Sequence, residues 1–142
     1  VRRALEETAA RLAAGRAAGD PSAAEAFAAL ADAFARTHPD ADADAYYALI
    51  ARFDAELDAS VSNDYLTAAL RTVRTHLVRV RRLARDHPQR LAASVSEHRL
   101  IASAIAAGDV DLAAHATHVH LHNALEGVLA SLEQHHHHQG AA

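Results

Sequence analysis

Apolar positions recur along this chain every three or four residues, the period of a helix with one buried face. Leu5, Ala9, Leu12 and Ala13 predict a first helix over about Arg2–Ala17, broken by Gly19-Asp20-Pro21. Ser22 with Glu25 has the form of a capping box and opens a second helix, which buries Phe27, Leu30 and Phe34 and runs to about Arg36. Past His38-Pro39, Asp42 and Asp44 offer N-caps for a third, with Tyr46, Leu49, Ile50, Phe53 and Leu57 inward, to about Ser60. A fourth, about Asp64–Arg85, turns Leu66, Leu70, Val73, Leu77, Val80 and Leu83 inward, and His87-Pro88 ends it. The fifth and sixth cover about Pro88–Ala107 and Asp109–Gln134, folded back at Gly108-Asp109. Runs of β-branched residues that would mark strands are absent, and the connections are short. The pattern predicts an all-α fold, a single antiparallel helical bundle of about six helices over residues 1–134, arranged up and down.

Composition narrows this picture. Apolar residues make up 51% of the 142, but many are alanine and only six are aromatic (three Tyr, three Phe), so close-packed helices with few large side chains are expected. The net charge of −4, with every basic residue an arginine, gives no electrostatic warrant for binding nucleic acid or an acidic membrane. Cysteine is absent, which removes disulfides and thiolate metal sites. No apolar run reaches the ~20 residues of a membrane span, and no signal peptide is visible, so a cytoplasmic location is the default expectation. The chain opens on Val1 within a helix, as a domain cut from a longer protein would. Residues 135–142, with His135–His138 between Gln134 and Gln139, read as a disordered histidine-rich tail, either native or a purification remnant.

Chemistry concentrates where the fifth and sixth helices face each other. His98 shares a stripe with Leu91, Ser94, Val95, Ile101 and Ile105, and His120 flanks a stripe formed by Leu112, Ala116, Val119 and Asn123. Asp54 edges the buried stripe of the third helix, where a bare carboxylate would cost several kcal/mol unless paired or coordinated. One carboxylate and two imidazoles from three helices make a half-shell for a divalent metal such as zinc, nickel or manganese. The same groups equally suit a metal-free Asp–His hydrogen-bond network. His115, His118 and His122 form a second stripe of the sixth helix that suits a solvated or interface face. Among the arginines of the fourth helix, Arg74 and Arg81 lie nearest its apolar stripe and could reach an anionic ligand. No nucleophile elbow, P-loop, dinucleotide-binding glycine pattern or zincin helix is present, so no enzymatic activity is expected.

With those residues in place, the chain resembles the FCD domain, the C-terminal effector-binding domain of FadR-type regulators in the GntR transcription-factor family. The resemblance runs from about Arg2 to Leu125. It is carried by Arg2-x-x-Leu5-Glu6, by Phe53-Asp54-x-x-Leu57 with Ser62-Asn63-x-x-Leu66, by Glu97-His98-x-x-Ile101 and Ala104-Ile105-x-x-Gly108-Asp109, and by His120-Leu121. It implies a bundle that binds a small organic acid, a carboxylate or sugar acid, and it matches His98 and His120 to two metal-binding histidines. Ile50 stands where the metal-binding branch has an aspartate, and Asp54 where it has a histidine, so Asp54, His98 and His120 are the expected metal set. Arg2, Arg74 and Asn123 are the expected effector contacts. The resemblance further implies a homodimer that reaches DNA only through an N-terminal winged helix-turn-helix, which these residues do not contain. A metal-dependent enzyme and a purely structural dimerisation bundle are the alternative readings.

Overall fold

The computed structural model describes residues 1–85 and 87–140, and it holds six helices: α1 (Arg2–Gly19), α2 (Pro21–Ala35), α3 (Ala43–Val61), α4 (Asp64–Arg85), α5 (Pro88–Ala106) and α6 (Val110–Gly140). No strand occurs among the described residues. Helix α6 continues through residues 135–140, where a disordered tail is expected; residues 141 and 142 lie outside the described residues.

Local chemistry sets the helix ends. Asp20, not Ser22, caps α2: its Oδ1 accepts the N–H groups of Ser22 (3.0 Å) and Ala23 (3.4 Å). Pro21 at the first helical position needs no donor there and moves the cap one residue earlier than a capping box at Ser22 would. Asp42 caps α3 through Ala45 N–H (2.9 Å), and Asn63 serves α4 through Leu66 N–H (3.0 Å). Helix α5 ends in a Schellman motif. Gly108 N–H reaches Ile105 O (2.9 Å) and Asp109 N–H reaches Ala104 O (3.0 Å), which requires the left-handed φ of +70° at Gly108. Asp109 then accepts Leu112 N–H (3.1 Å), so α6 starts where α5 stops. A Cβ at Gly108 would lie 2.9 Å from Ala18 Cβ, so glycine also permits the corner to rest on the end of α1.

The principal packing partners are α2 with α5, α1 with α6, and α5 with α6. Two of these pairs join helices distant in sequence, so the up-and-down order of neighbours does not describe the packing. The buried face of α1 is alanine throughout (Ala9, Ala10, Ala13, Ala14 and Ala17), and it meets Ala113, Ala114 and Ala116 of α6. Leu12, Leu112 and Val119, expected on inner faces, are instead 43%, 41% and 51% exposed. Alanine lets two helices approach closely, and the approach rotates the larger neighbours outward. Phe27, Phe34, Phe53 and Tyr46 fill the middle of the bundle with edge-on ring contacts. Helix α4 joins this body thinly, and only Leu70 and Leu77 of its apolar stripe are buried.

Candidate functional site

Behind the last turns of α4 the bundle stays open. A cavity of about 310 Å³ lies among α1, α3, α4, α5 and α6; α2 takes no part. Leu77, Val80 and Leu83 of α4 form one apolar wall, and Leu121, Ala124 and Val128 of α6 another. Between these walls stand the polar groups Tyr46, Asp54, Arg81, Ser94, His98 and His120, with Arg2 and Glu6 from α1.

His98 is held from all sides. Phe34 stacks on its ring (centroids 5.3 Å, 26°), while Phe53 and Tyr46 approach edge-on at 5.7 and 6.2 Å. Its Nδ1 lies 3.0 Å from Ser94 O, which can only accept, so the neutral ring carries its proton there. Tyr46 Oη stands 3.3 Å from the same nitrogen and 2.5 Å from Ser94 Oγ. Burial, reinforced by the neighbouring His120, pushes the His98 imidazole down to about 3 and keeps it neutral. Burial likewise raises the Tyr46 phenol above its usual value.

His120 stands edge to face against His98, with ring centroids 4.3 Å apart. Its Nδ1 is 2.7 Å from Glu97 Oε1. Glu97 also accepts Asn123 Nδ2 (2.9 Å) and both terminal nitrogens of Arg90. Burial works against the Glu97 charge, but donation from His120, Arg90 and Asn123 outweighs it and holds the carboxyl at about 2. Arg90 reaches this position by crossing α6 at Gly127, where a Cβ would lie 3.2 Å from Arg90 Cδ.

Asp54 occupies a different environment. Its Oδ2 lies 3.5 Å from Arg74 Nε and 3.7 Å from Arg81 Nη2, long separations for ion pairs. Arg74 Nη1 is taken by Asp58 (2.8 and 2.9 Å), and Arg74 Nε is buried without a hydrogen-bond partner. Burial raises Asp54 to about 6, against the pull of Arg74 and Arg81. Arg81 has no closer acidic partner among the described residues and is the least committed arginine of the cavity.

The structure therefore brings together His98 and His120 but turns Asp54 toward arginines. Among the described residues no three His, Asp or Glu side chains form a group that could hold a metal ion, so the set of Asp54, His98 and His120 is not assembled. Arg2 lines the cavity while bonded to Glu6 (2.7 Å). Arg74 and Asn123 do not line it, because the first is spent on Asp58 and Asp54 and the second on Glu97. Arg90 and Glu97 were not foreseen as site residues; a long cation and an acid seven positions apart, flanking a stripe that holds a histidine, were the available signal. On the outer face of α6, His115 and His122 are exposed and His118 pairs with Glu7 (2.9 Å).

An all-α bundle with an apolar-walled, arginine- and histidine-bearing cavity is the architecture of a small-molecule binding domain. Residues 1–123 match the FCD domain, and the chain belongs to that family, the effector-binding regulatory domains of GntR-family transcription regulators. Comparison with curated proteins and with solved structures gives no significant match. Among the described residues no helix is long and apolar enough to cross a membrane.

Proposed function

We propose that this domain senses a small organic acid held directly in the cavity, without a bridging metal, and passes its occupancy to a DNA-binding domain elsewhere in a homodimeric regulator. The observation that carries this reading is the cavity itself: about 310 Å³, walled by five helices and supplied with Arg81. A carboxylate at Arg81 gains a charge-assisted, fork-shaped partner in a setting of low dielectric. Apolar side chains of α4 and α6 cover the body of the acid. Asp54 opposes this anion when ionised, so binding favours its neutral form and strengthens as the pH falls toward its value of about 6. The two imidazoles support a second reading, in which a divalent ion such as zinc, nickel or manganese sits between them. Asp54 lends that reading no carboxylate, since it faces Arg74 and Arg81.

The test is a thermal-shift and calorimetric screen of organic acids with chelator present, repeated with each metal, on protein lacking the histidine tract. Stabilisation by an acid in chelator, weakened about 10–100-fold in Arg81→Ala, is the expected result. Absence of stabilisation by any acid under either condition would defeat acid sensing. Stabilisation only with metal would defeat direct binding.

A further inference from the structure

The cavity presents two nitrogen atoms with nothing to bond. Every hydrogen bond of the His98 ring is made at Nδ1, to Ser94 and Tyr46, and that of His120 is made at Nδ1, to Glu97. Among the described residues no protein group bonds the Nε2 of either ring, and both residues line the cavity. The partners at Nδ1 decide what Nε2 can do. Ser94 O and the Glu97 carboxylate accept only, so each neutral ring holds its proton at Nδ1 and presents Nε2 as a lone pair. The cavity thus offers two adjacent acceptors on rings whose centroids are 4.3 Å apart, beside the donor Arg81. A simple carboxylate satisfies the arginine and leaves both lone pairs without a partner.

We infer that His98 and His120 form an acceptor pair selecting acids that also carry a hydroxyl on their apolar frame, with Glu97 the residue that sets this specificity. The inference rests on the acid-sensing reading and adds the second recognition element of the same cavity. Glu97 acts through His120. Its ionised carboxylate fixes the proton at Nδ1, whereas a neutral amide at this position can donate to Nδ1 and move the proton to Nε2, turning an acceptor into a donor. A ligand hydroxyl that loses its acceptor in a dry cavity forfeits about a factor of ten in affinity.

The experiment compares 4-methylpentanoate with its 2-hydroxy and 3-hydroxy derivatives by calorimetry at pH 8 with chelator present, on the chain without its histidine tract and on its Glu97→Gln variant. The expected result is about tenfold tighter binding of at least one hydroxy acid than of the parent acid, a preference that shrinks or inverts in Glu97→Gln while the parent acid binds as before. Equal binding of all three acids overturns the inference and leaves acid sensing standing. A hydroxyl preference that appears only on adding zinc overturns it in favour of metal ligation, and absence of binding by all three removes it together with the acid-sensing reading. Should Glu97→Gln fail to fold, ¹⁵N shifts of the two rings in the unmodified chain decide the matter: protonation at Nδ1 supports the inference and protonation at Nε2 refutes it.

Discussion

The two ends of this bundle are built on opposite rules. At the end closed by Gly108, α1, α5 and α6 meet through alanine, and Ala9, Ala13, Ala14, Ala102 and Ala113 are at most marginally exposed. Nothing there is large, polar or movable. At the other end α4 stands off, long side chains line a cavity of about 310 Å³, and the buried groups include two histidines and an aspartate. Close packing needs only small side chains and one permissive glycine. A binding cavity needs the reverse: walls that do not meet, and polar groups held by one another until a ligand arrives. Stability is thus concentrated where the ligand is not.

Truncation measures that contrast most directly. Ile105→Ala, in the closed end and with no exposed surface, should cost about 3–4 kcal/mol, whereas Leu83→Ala on the cavity wall should cost under about 1 kcal/mol. Chemical denaturation reads both, and equal losses would erase the distinction between the ends. Gly108→Ala attacks the corner itself. It adds left-handed strain and drives a Cβ to 2.9 Å from Ala18, for an expected loss of about 2–3 kcal/mol. A change below about 0.5 kcal/mol would show that the corner tolerates a side chain.

Acid sharpens the comparison from the cavity side. His98 has a folded value near 3 against an ordinary 6.5, so only the unfolded chain binds that proton. The stability it confers is complete above pH 6.5 and is lost as the pH falls from there toward 3. Asp54 has the opposite sign: raised from 3.8 to about 6, it binds a proton in the folded chain across that window and adds stability as the pH falls. The two effects largely cancel below pH 6. Urea titrations should show the wild-type chain losing less than about 1 kcal/mol between pH 6.5 and 5, and Asp54→Asn losing about 2 kcal/mol. Parallel pH profiles for the two proteins would contradict the opposing roles.

The smallest expected effect lies at Gly127. An added methyl gains helix propensity of about 0.5–1 kcal/mol but displaces Arg90, whose Cδ it would approach to 3.2 Å. Gly127→Ala should therefore leave the melting temperature within a few degrees and lower ligand affinity, as Arg90 loosens its hold on Glu97. Unchanged affinity would separate Arg90 from the site.

Helix number, helix limits and the meeting of His98 with His120 were legible in the sequence, because large apolar residues report a helix face and caps report its ends. Helix α4 is found over the very residues, Asp64–Arg85, that its periodicity marks. The inward face of α6 was misread because alanine contributes little to an apolar stripe. Leu112 and Val119 dominate the pattern, yet Ala113, Ala116 and Thr117 are what the close approach of α1 buries. The partners of Asp54 were hidden for a different reason. An arginine reaches across a helix interface on several rotatable bonds, so linear spacing could place Arg74 and Arg81 near the stripe without showing which acid each would meet. Pairings such as α2 with α5 left no trace in short loops.

The shared corner at Asp109, which ends α5 and begins α6, gives the molecule a mechanical ratio. At a rise of about 1.5 Å per residue, His120 lies about 15 Å along α6 from that pivot and Gln134 about 36 Å. A tilt that displaces α6 slightly at the histidine pair is more than doubled where its far turns emerge, so a contact the size of one hydrogen bond is delivered at the end of the helix as a movement a neighbouring domain can register.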